Sequence, residues 1–504
     1  MTSEGKIAMR LLRTIQRKLL LSPWRIVVVD DQRAWRAIDI QVAAWHLARE
    51  IERVSQSQRV AIMLPTSGLF PCAAIAGWML GRTIVPLNYL LGKGDLAHVC
   101  ADAGIDACVT VGPMLEFTGG LPDGVRAIRM DQMKFGGIPP IRFARRRSPS
   151  DLAVLLYTSG TSGRPKGVML TAGNLDANVR QVVEHARFTR VDTLLGVLPQ
   201  FHSFGLTVLT LLPLAVGCKA VYTARFVPRK IITLAREHRP SVLVAIPSMY
   251  GALRSVKEAS REDFASLRFV VSGGEPLPQA VADGFFERFE RRISEGYGLT
   301  ETSPVTNWCL PHEWRPRSVG RTVPGVDERI IAPDGSEAAR GSDGEVRIKG
   351  PNVMAGYWNL PDESRAVFDE RGYFRTGDMG RIDADGHLYI TGRIKEMLII
   401  GGENVFPREI EEVLDRHESV KASAVIGVRD ESRGETPVAF VELRDGACFD
   451  ENALRAWCRA HLAQFKVPRD IRVRDALPRN ATGKIMRRAL AAELASSDSG
   501  AKPG

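Results

Sequence analysis

Hydrophobic and polar positions along the chain change rhythm several times, and each rhythm predicts an element. Residues 1–21 carry Ala8, Leu11, Leu12, Ile15 and Leu19 on one helical face, with Lys6, Arg10, Arg13 and Arg17 opposite. That is a basic amphipathic helix, which suits either packing on its own domain or lying on a membrane surface. From about 25 to 140, apolar runs such as 59–64, 84–88 and 107–111 alternate with helical stretches such as 73–79. This alternation predicts a largely parallel α/β sheet. Residues 141–150, rich in Arg and ending Ser-Pro-Ser, read as an exposed connector. Further strands are predicted at 152–156, 194–198, 242–247 and 267–271, with a helix over 174–188. Residues 320–391 read as β pieces separated by Gly-rich turns. A small α/β region follows, with strands at 422–428 and 436–441 and helices from Pro407 and over 451–463. The Ser/Gly/Pro-rich end, 496–504, reads as a disordered tail.

Composition narrows the picture. The 504 residues suggest two to four domains, and the net charge of +10 favours anionic partners such as nucleotides, CoA phosphates or anionic lipid. No zinc-finger spacing or RNP-like aromatic pattern supports nucleic acid. The seven cysteines form no C-x-x-C pair, which suits a reducing cytoplasm. No signal peptide is visible. The uncharged stretch 193–218 is long enough to mimic a membrane span, but Pro199, Gln200, His202, Ser203 and Pro213 interrupt it. It reads as strand, loop and buried helix.

Chemistry concentrates after the 152–156 run, in Tyr157-Thr158-Ser159-Gly160-Thr161-Ser162-Gly163-Arg164-Pro165-Lys166-Gly167. Hydroxyls, flexible backbone N–H groups and two cations suit phosphate oxygens. It is not a P-loop, because Gly167 rather than Ser or Thr follows Lys166. Downstream, Pro199-Gln-Phe-His-Ser-Phe-Gly205 ends a strand, and Ser272-Gly273-Gly274-Glu275-Pro276 ends another. In Gly296-Tyr297-Gly298-Leu-Thr300-Glu301-Thr302, the glycines allow close backbone approach, Tyr297 offers a flat face to a purine, and Thr300 and Glu301 offer hard oxygens to Mg²⁺. Asp378 sits in a Thr-Gly-Asp turn, where a carboxylate can accept two ribose hydroxyls. Arg393 and Lys395 mark a domain boundary, and Leu477 to Lys484 closes the last region.

Taken in order, these segments resemble the AMP-forming acyl-CoA synthetases of the adenylate-forming superfamily, most nearly the fatty-acyl-CoA and acyl-acyl-carrier-protein synthetases. The resemblance implies an α/β fold: a large N-terminal domain of α/β sheets with a β-rich subdomain (1–392), a hinge (393–395) and a small, mobile α+β lid (396–495). It implies that a carboxylate attacks the α-phosphate of Mg·ATP, giving acyl-AMP and pyrophosphate, and that the thiol of CoA then displaces AMP. Lys484 would meet the α-phosphate and the carboxylate, and the 158–166 loop the leaving phosphates. Thr158 and Glu301 would hold Mg²⁺, Asp378 and Arg393 the ribose. Gly273, Gly274, Glu275, Gly296, Tyr297, Gly298 and Thr300 would line the nucleotide. His202 would gate the acid. No Asp near His202 awaits an amino group, and Phe201, Phe204, Leu206, Val208 and Leu209 suggest apolar cargo. Transfer to a carrier-protein phosphopantetheine, and an aryl acid, remain open.

Overall fold

The computed structural model describes residues 10–137, 139–145, 147–159, 164–430, 433–479 and 485–499. Four sheets organise it. The first runs Arg126–Arg129, Ala107–Thr110, Arg59–Met63, Thr83–Pro86, Leu152–Ser159, Pro165–Thr171 across its width, parallel except for the last pair. The buried, uninterrupted apolar character of its middle strands is what a parallel sheet covered on both faces requires.

The second sheet has nine strands and a parallel centre formed by Ser294–Gly298, Phe269–Ser272, Val242–Ala245, Thr193–Gly196, Lys219–Tyr222 and Ile26–Val29. Antiparallel strands close both edges, with Val305–Trp308 beside Ser294–Gly298. The third sheet is antiparallel: Asp327–Ile331, Gly344–Lys349, Phe374–Ile382 and Leu388–Arg393. This is the β-rich region expected at 320–391, and it also carries a short helix, Pro361–Ala366, that the alternation did not announce. One 3₁₀ turn, Ile394–Glu396, then leads to a five-stranded sheet with the helices Pro407–Leu414, Glu451–His461 and Arg487–Ser499.

Two expectations need correction. The N-terminal helix Arg10–Leu21 buries Leu11, Leu12, Ile15 and Leu19 inside the protein, against Ala37–Val54, Ala172–Ala186 and Leu212–Val216. Its apolar face is therefore occupied by the chain itself and is not available to a membrane; Lys6 and Ala8 lie outside the described residues. The 141–150 connector is largely exposed, as read, and is pinned at two points: the Ala144 N–H donates to Gln16 Oε1 at 2.7 Å, and Trp45 Nε1 donates to the Arg142 carbonyl at 2.7 Å. The last helix continues to Ser499, into the stretch read as tail, because Leu490 and Leu494 anchor it on the lid sheet. Residues 500–504 lie outside the described residues. The uncharged 193–218 stretch is a strand and a buried helical turn, as read. Among the described residues, no helix is long and apolar enough to cross a membrane.

Candidate active site

A cavity of about 1390 Å³ lies where the second sheet, the third sheet and the lid meet. It gathers segments that are far apart in sequence. Strands Leu152–Ser159 and Pro165–Thr171 form a hairpin, with Thr158 opposite Lys166. Gly160, Thr161, Ser162 and Gly163 lie outside the described residues, as does Lys484. Thr158 and Lys166 line the cavity, as do His202, Gly273, Gly274, Gly296, Tyr297, Gly298, Thr300, Glu301 and Arg393. Asp378 and Glu275 line an adjoining cavity that shares Gly296, Tyr297 and Arg393 with the first. Ser159 ends the first hairpin strand.

Close approach brings these segments together, and glycine permits it. A Cβ on Gly298 would sit 1.8 Å from the Pro304 carbonyl oxygen, so the turn after Tyr297 admits no side chain there. A Cβ on Gly273 would press on Phe204 at 3.0 Å, so the end of that strand lies against the His202 segment. The Ser203 hydroxyl is 3.2 Å from that of Thr300, tying the same segment to the Thr300–Thr302 turn.

The polar groups hold one another in place. The Tyr297 hydroxyl donates to Asp378 Oδ2 at 2.6 Å, and Arg393 Nε lies 2.8 Å from Asp378 Oδ1. Asp378 also raises the Arg393 pKa, and burial raises that of Tyr297, so both stay protonated. Tyr357, which sequence reasoning did not single out, donates to Glu301 Oε1 at 2.9 Å. Burial pushes the Glu301 carboxyl above its usual range. Lys166 is paired with Glu363, another residue unmarked by any motif, and sits 5.9 Å from the Tyr357 ring. Both partners come from the 357–363 segment, and no sequence spacing could have pointed to them. Burial lowers the His202 pKa, which keeps the ring neutral at pH 7. The Phe204 N–H donates to His202 Nδ1 at 3.4 Å, which leaves the ring proton on Nε2.

Glu301 and Thr158 suit Mg²⁺. Among the described residues no three His, Cys, Asp or Glu side chains gather as a metal cage. Mg²⁺ asks for none: it keeps waters and takes one or two carboxylates together with substrate phosphates. One arm of the cavity is apolar, walled by Val182, Phe188, Val208, Val242, Val244 and Val271.

The lid meets the body at this cavity. Arg317 of the body pairs with Glu412 of the lid at 2.8 Å, Arg408 Nε donates to Glu412 at 3.0 Å, and Arg408 Nη1 donates to the Ile390 carbonyl at 2.6 Å. Arg487 pairs with Glu411 at 2.7 Å, and its neighbours Ile485 and Met486 line the cavity.

Known proteins share this fold. Residues 21–358 match the AMP-binding enzyme family and residues 409–484 the AMP-binding enzyme C-terminal domain. The chain belongs to the AMP-binding enzymes, the adenylate-forming family that uses ATP, and is an acid–thiol ligase of the AMP-forming acyl-CoA synthetase kind. It is 39% identical over 349 residues to a long-chain-fatty-acid–CoA ligase of Bacillus subtilis, an alignment spanning 68% of this chain and 62% of that one. It is 33% identical to a feruloyl-CoA synthase of an Amycolatopsis species, over 86% of this chain and 88% of the relative. ATP-bound MatB of Rhodopseudomonas palustris, 30% identical, superimposes with a TM-score of 0.89 over 97% of this chain and 99% of its own. The apo form of MatB superimposes with a TM-score of 0.79 over the same share of both chains.

Proposed function

We propose that this protein activates an apolar carboxylic acid, a fatty acid in the first instance, as its adenylate and passes the acyl group to the thiol of CoA. The observation that carries this reading is a cavity lined by Thr158 and Lys166 of the hairpin, Glu301 and Arg393 that runs into an apolar arm, with Asp378, paired with Arg393, on the adjoining cavity. An acid carboxylate oxygen attacks the α-phosphorus of ATP, and the bond to the β-phosphate oxygen breaks. Pyrophosphate leaves. The CoA sulfur then attacks the acyl carbon, the carbon–oxygen bond breaks, and AMP leaves with that oxygen.

The protein contributes position and charge rather than a nucleophile. Lys166 holds the leaving phosphates once Glu363 releases it. Asp378 retains lone pairs for two ribose hydroxyls while Arg393 and Tyr297 fix its plane. Glu301 and Thr158 hold Mg²⁺, which offsets phosphate charge when bound. Lys484 meets the α-phosphate and the carboxylate. Neutral His202 guards the junction between nucleotide and acyl arm without competing for the carboxylate as a cation. Residues 393–395 act as the hinge between the two half-reactions.

The aromatic residues at the end of the acyl arm also fit an aryl acid, and a feruloyl-CoA synthase is among the relatives. Carrier-protein phosphopantetheine is the alternative acceptor. Pyrophosphate release should be followed over alkyl and aryl acids, with CoA and with holo carrier protein as acceptors. Saturable, acid-dependent release with acyl-CoA as product supports the proposal. Release with acyl transfer only to the carrier protein would replace CoA as the acceptor.

A further inference from the structure

We propose that Glu363 competes with phosphate for the Lys166 ammonium, and that re-formation of the Glu363–Lys166 pair helps to expel pyrophosphate once acyl-AMP has formed. The proposal rests on the acid-ligase reading above and gives that site a device for product release.

Both side chains are accessible from the cavity. Lys166 and Glu363 line it, are 20% and 43% exposed, and pair with each other. The backbone builds this pairing; it is not left to two long side chains. Residues 355–358 run antiparallel beside the strand Pro165–Thr171, which carries Lys166. The Ala355 N–H donates to the Met169 carbonyl at 3.0 Å, the Met169 N–H to the Gly356 carbonyl at 2.9 Å, and the Trp358 N–H to the Gly167 carbonyl at 2.7 Å. The approach is close: a Cβ on Gly167 would lie 3.1 Å from Trp358 Cβ. Ser364 then ties the helix Pro361–Ala366, which carries Glu363, back to the same segment. Its Oγ accepts from the Tyr357 N–H at 2.8 Å and donates to the Leu360 carbonyl at 2.7 Å. Glu363 is thus fixed to the strand that presents Lys166.

The two carboxylates of this end of the cavity sit around one tyrosine. The Tyr357 hydroxyl donates to Glu301 Oε1 at 2.9 Å, and burial, then the charge of Glu301 and more weakly that of Glu363, raises the Tyr357 pKa. Glu301 is the carboxylate proposed for Mg²⁺; Glu363 is committed to Lys166. A phosphate that binds Lys166 must separate that pair and then has a carboxylate as neighbour, which is unfavourable between like charges. ATP and pyrophosphate meet this cost differently. In the proposed mechanism ATP is also held through its ribose by Asp378 and Arg393. Pyrophosphate has its charge alone. The competition therefore weighs most on the product that must leave, and Glu363 is placed to retake Lys166 as it goes.

The test measures binding of inorganic pyrophosphate in the presence of Mg²⁺ by calorimetry, and its inhibition of acyl-AMP formation, in the full-length protein and in Glu363→Gln. The amide keeps the shape of this exposed side chain and removes its charge. The Kd and the inhibition constant should both fall by about two- to tenfold in the variant, with the KM for the acid unchanged. Tighter binding is a result that a merely structural role would not give, because a loosened hairpin binds less well. Lys166→Met should weaken pyrophosphate binding, as the loss of the group competed for. A Kd in Glu363→Gln that is unchanged within about 1.5-fold would overturn the proposal, as would one unaffected by Lys166→Met. A raised Kd in Glu363→Gln would overturn it too, and would make Glu363 a ligand of the Mg²⁺–pyrophosphate complex. Absence of acid-dependent pyrophosphate release with every acid would instead mark failure of the ligase reading itself.

Discussion

Asp378 and Arg393 face each other in register across neighbouring strands, with Arg393 Nε 2.8 Å from Asp378 Oδ1. The carboxylate side chain is 4% exposed and the arginine 45%, so a buried acid is held from one side by a base at the domain boundary. Arg393 ends the last strand of the body. The proposed hinge therefore starts at a residue whose charge is already committed to Asp378, the proposed ribose ligand.

Asp378→Asn keeps the shape of this contact and removes its charge. Steady-state kinetics should show the KM for ATP raised by about 10- to 100-fold, since charged hydrogen bonds contribute roughly 1.5–3 kcal/mol. The KM for the acid should change little. An equal rise in both would place Asp378 elsewhere in the mechanism.

Arg317 and Glu412 join the C-terminal domain to the body in this orientation, which the proposed mechanism assigns to acyl-AMP formation. Their side chains are 39% and 26% exposed, so the pair contributes only ~0.2–1 kcal/mol. Glu412→Ala should therefore slow acyl-AMP formation by only about two- to fivefold. Transfer to CoA from supplied acyl-AMP should stay unchanged or quicken. Single-turnover measurement of each half-reaction gives the comparison.

Glu328 is half-buried on the third sheet. Its Oε2 accepts from Asn307 Nδ2 at 3.1 Å, its Oε1 has no partner among the described residues, and burial pushes its carboxyl up to about 7. The folded state thus binds this proton more tightly than the unfolded chain, where the group titrates near its ordinary value of about 4.5. Ionisation begins to penalise the fold above the unfolded value, and the penalty is complete above about 7. Glu328→Gln removes it. Thermal unfolding should show the variant gaining on wild type by roughly 1–3 kcal/mol at alkaline pH, with the gain shrinking as pH falls through the window. A gain independent of pH would refute this.

Lys484→Ala should cripple acyl-AMP formation by roughly 10²–10³ while largely sparing transfer from supplied acyl-AMP, because the lysine is assigned to charge that develops only in the first step. Equal losses in both steps would contradict that role.

Much of the site was legible because its segments carry chemistry in short runs: 157–167, 202–205, 272–276 and 296–302 all border one cavity or the hairpin that enters it. What the sequence left hidden was the pairing between segments. Tyr357 with Glu301 and Lys166 with Glu363 are joined across 56 and 197 residues, and no periodicity encodes such meetings. The strand Pro165–Thr171 was masked by the proline and glycine at its start. The N-terminal helix showed its apolar face plainly. The same amphipathic pattern serves a membrane or a protein core, and only the packing of Leu12 and Ile15 against neighbouring helices distinguishes the two. The terminal helix reached Ser499 because two leucines outweighed a turn-like composition.

The most direct test of the account follows one oxygen. The acid is supplied with both carboxylate oxygens as the heavy isotope, and the products with ATP, Mg²⁺ and CoA are analysed by mass spectrometry. The account predicts AMP carrying a single heavy oxygen, unlabelled pyrophosphate and acyl-CoA retaining the other label. Heavy oxygen in inorganic phosphate, with ADP as co-product, would contradict it, because the acid would then have been activated through an acyl phosphate and not through its adenylate.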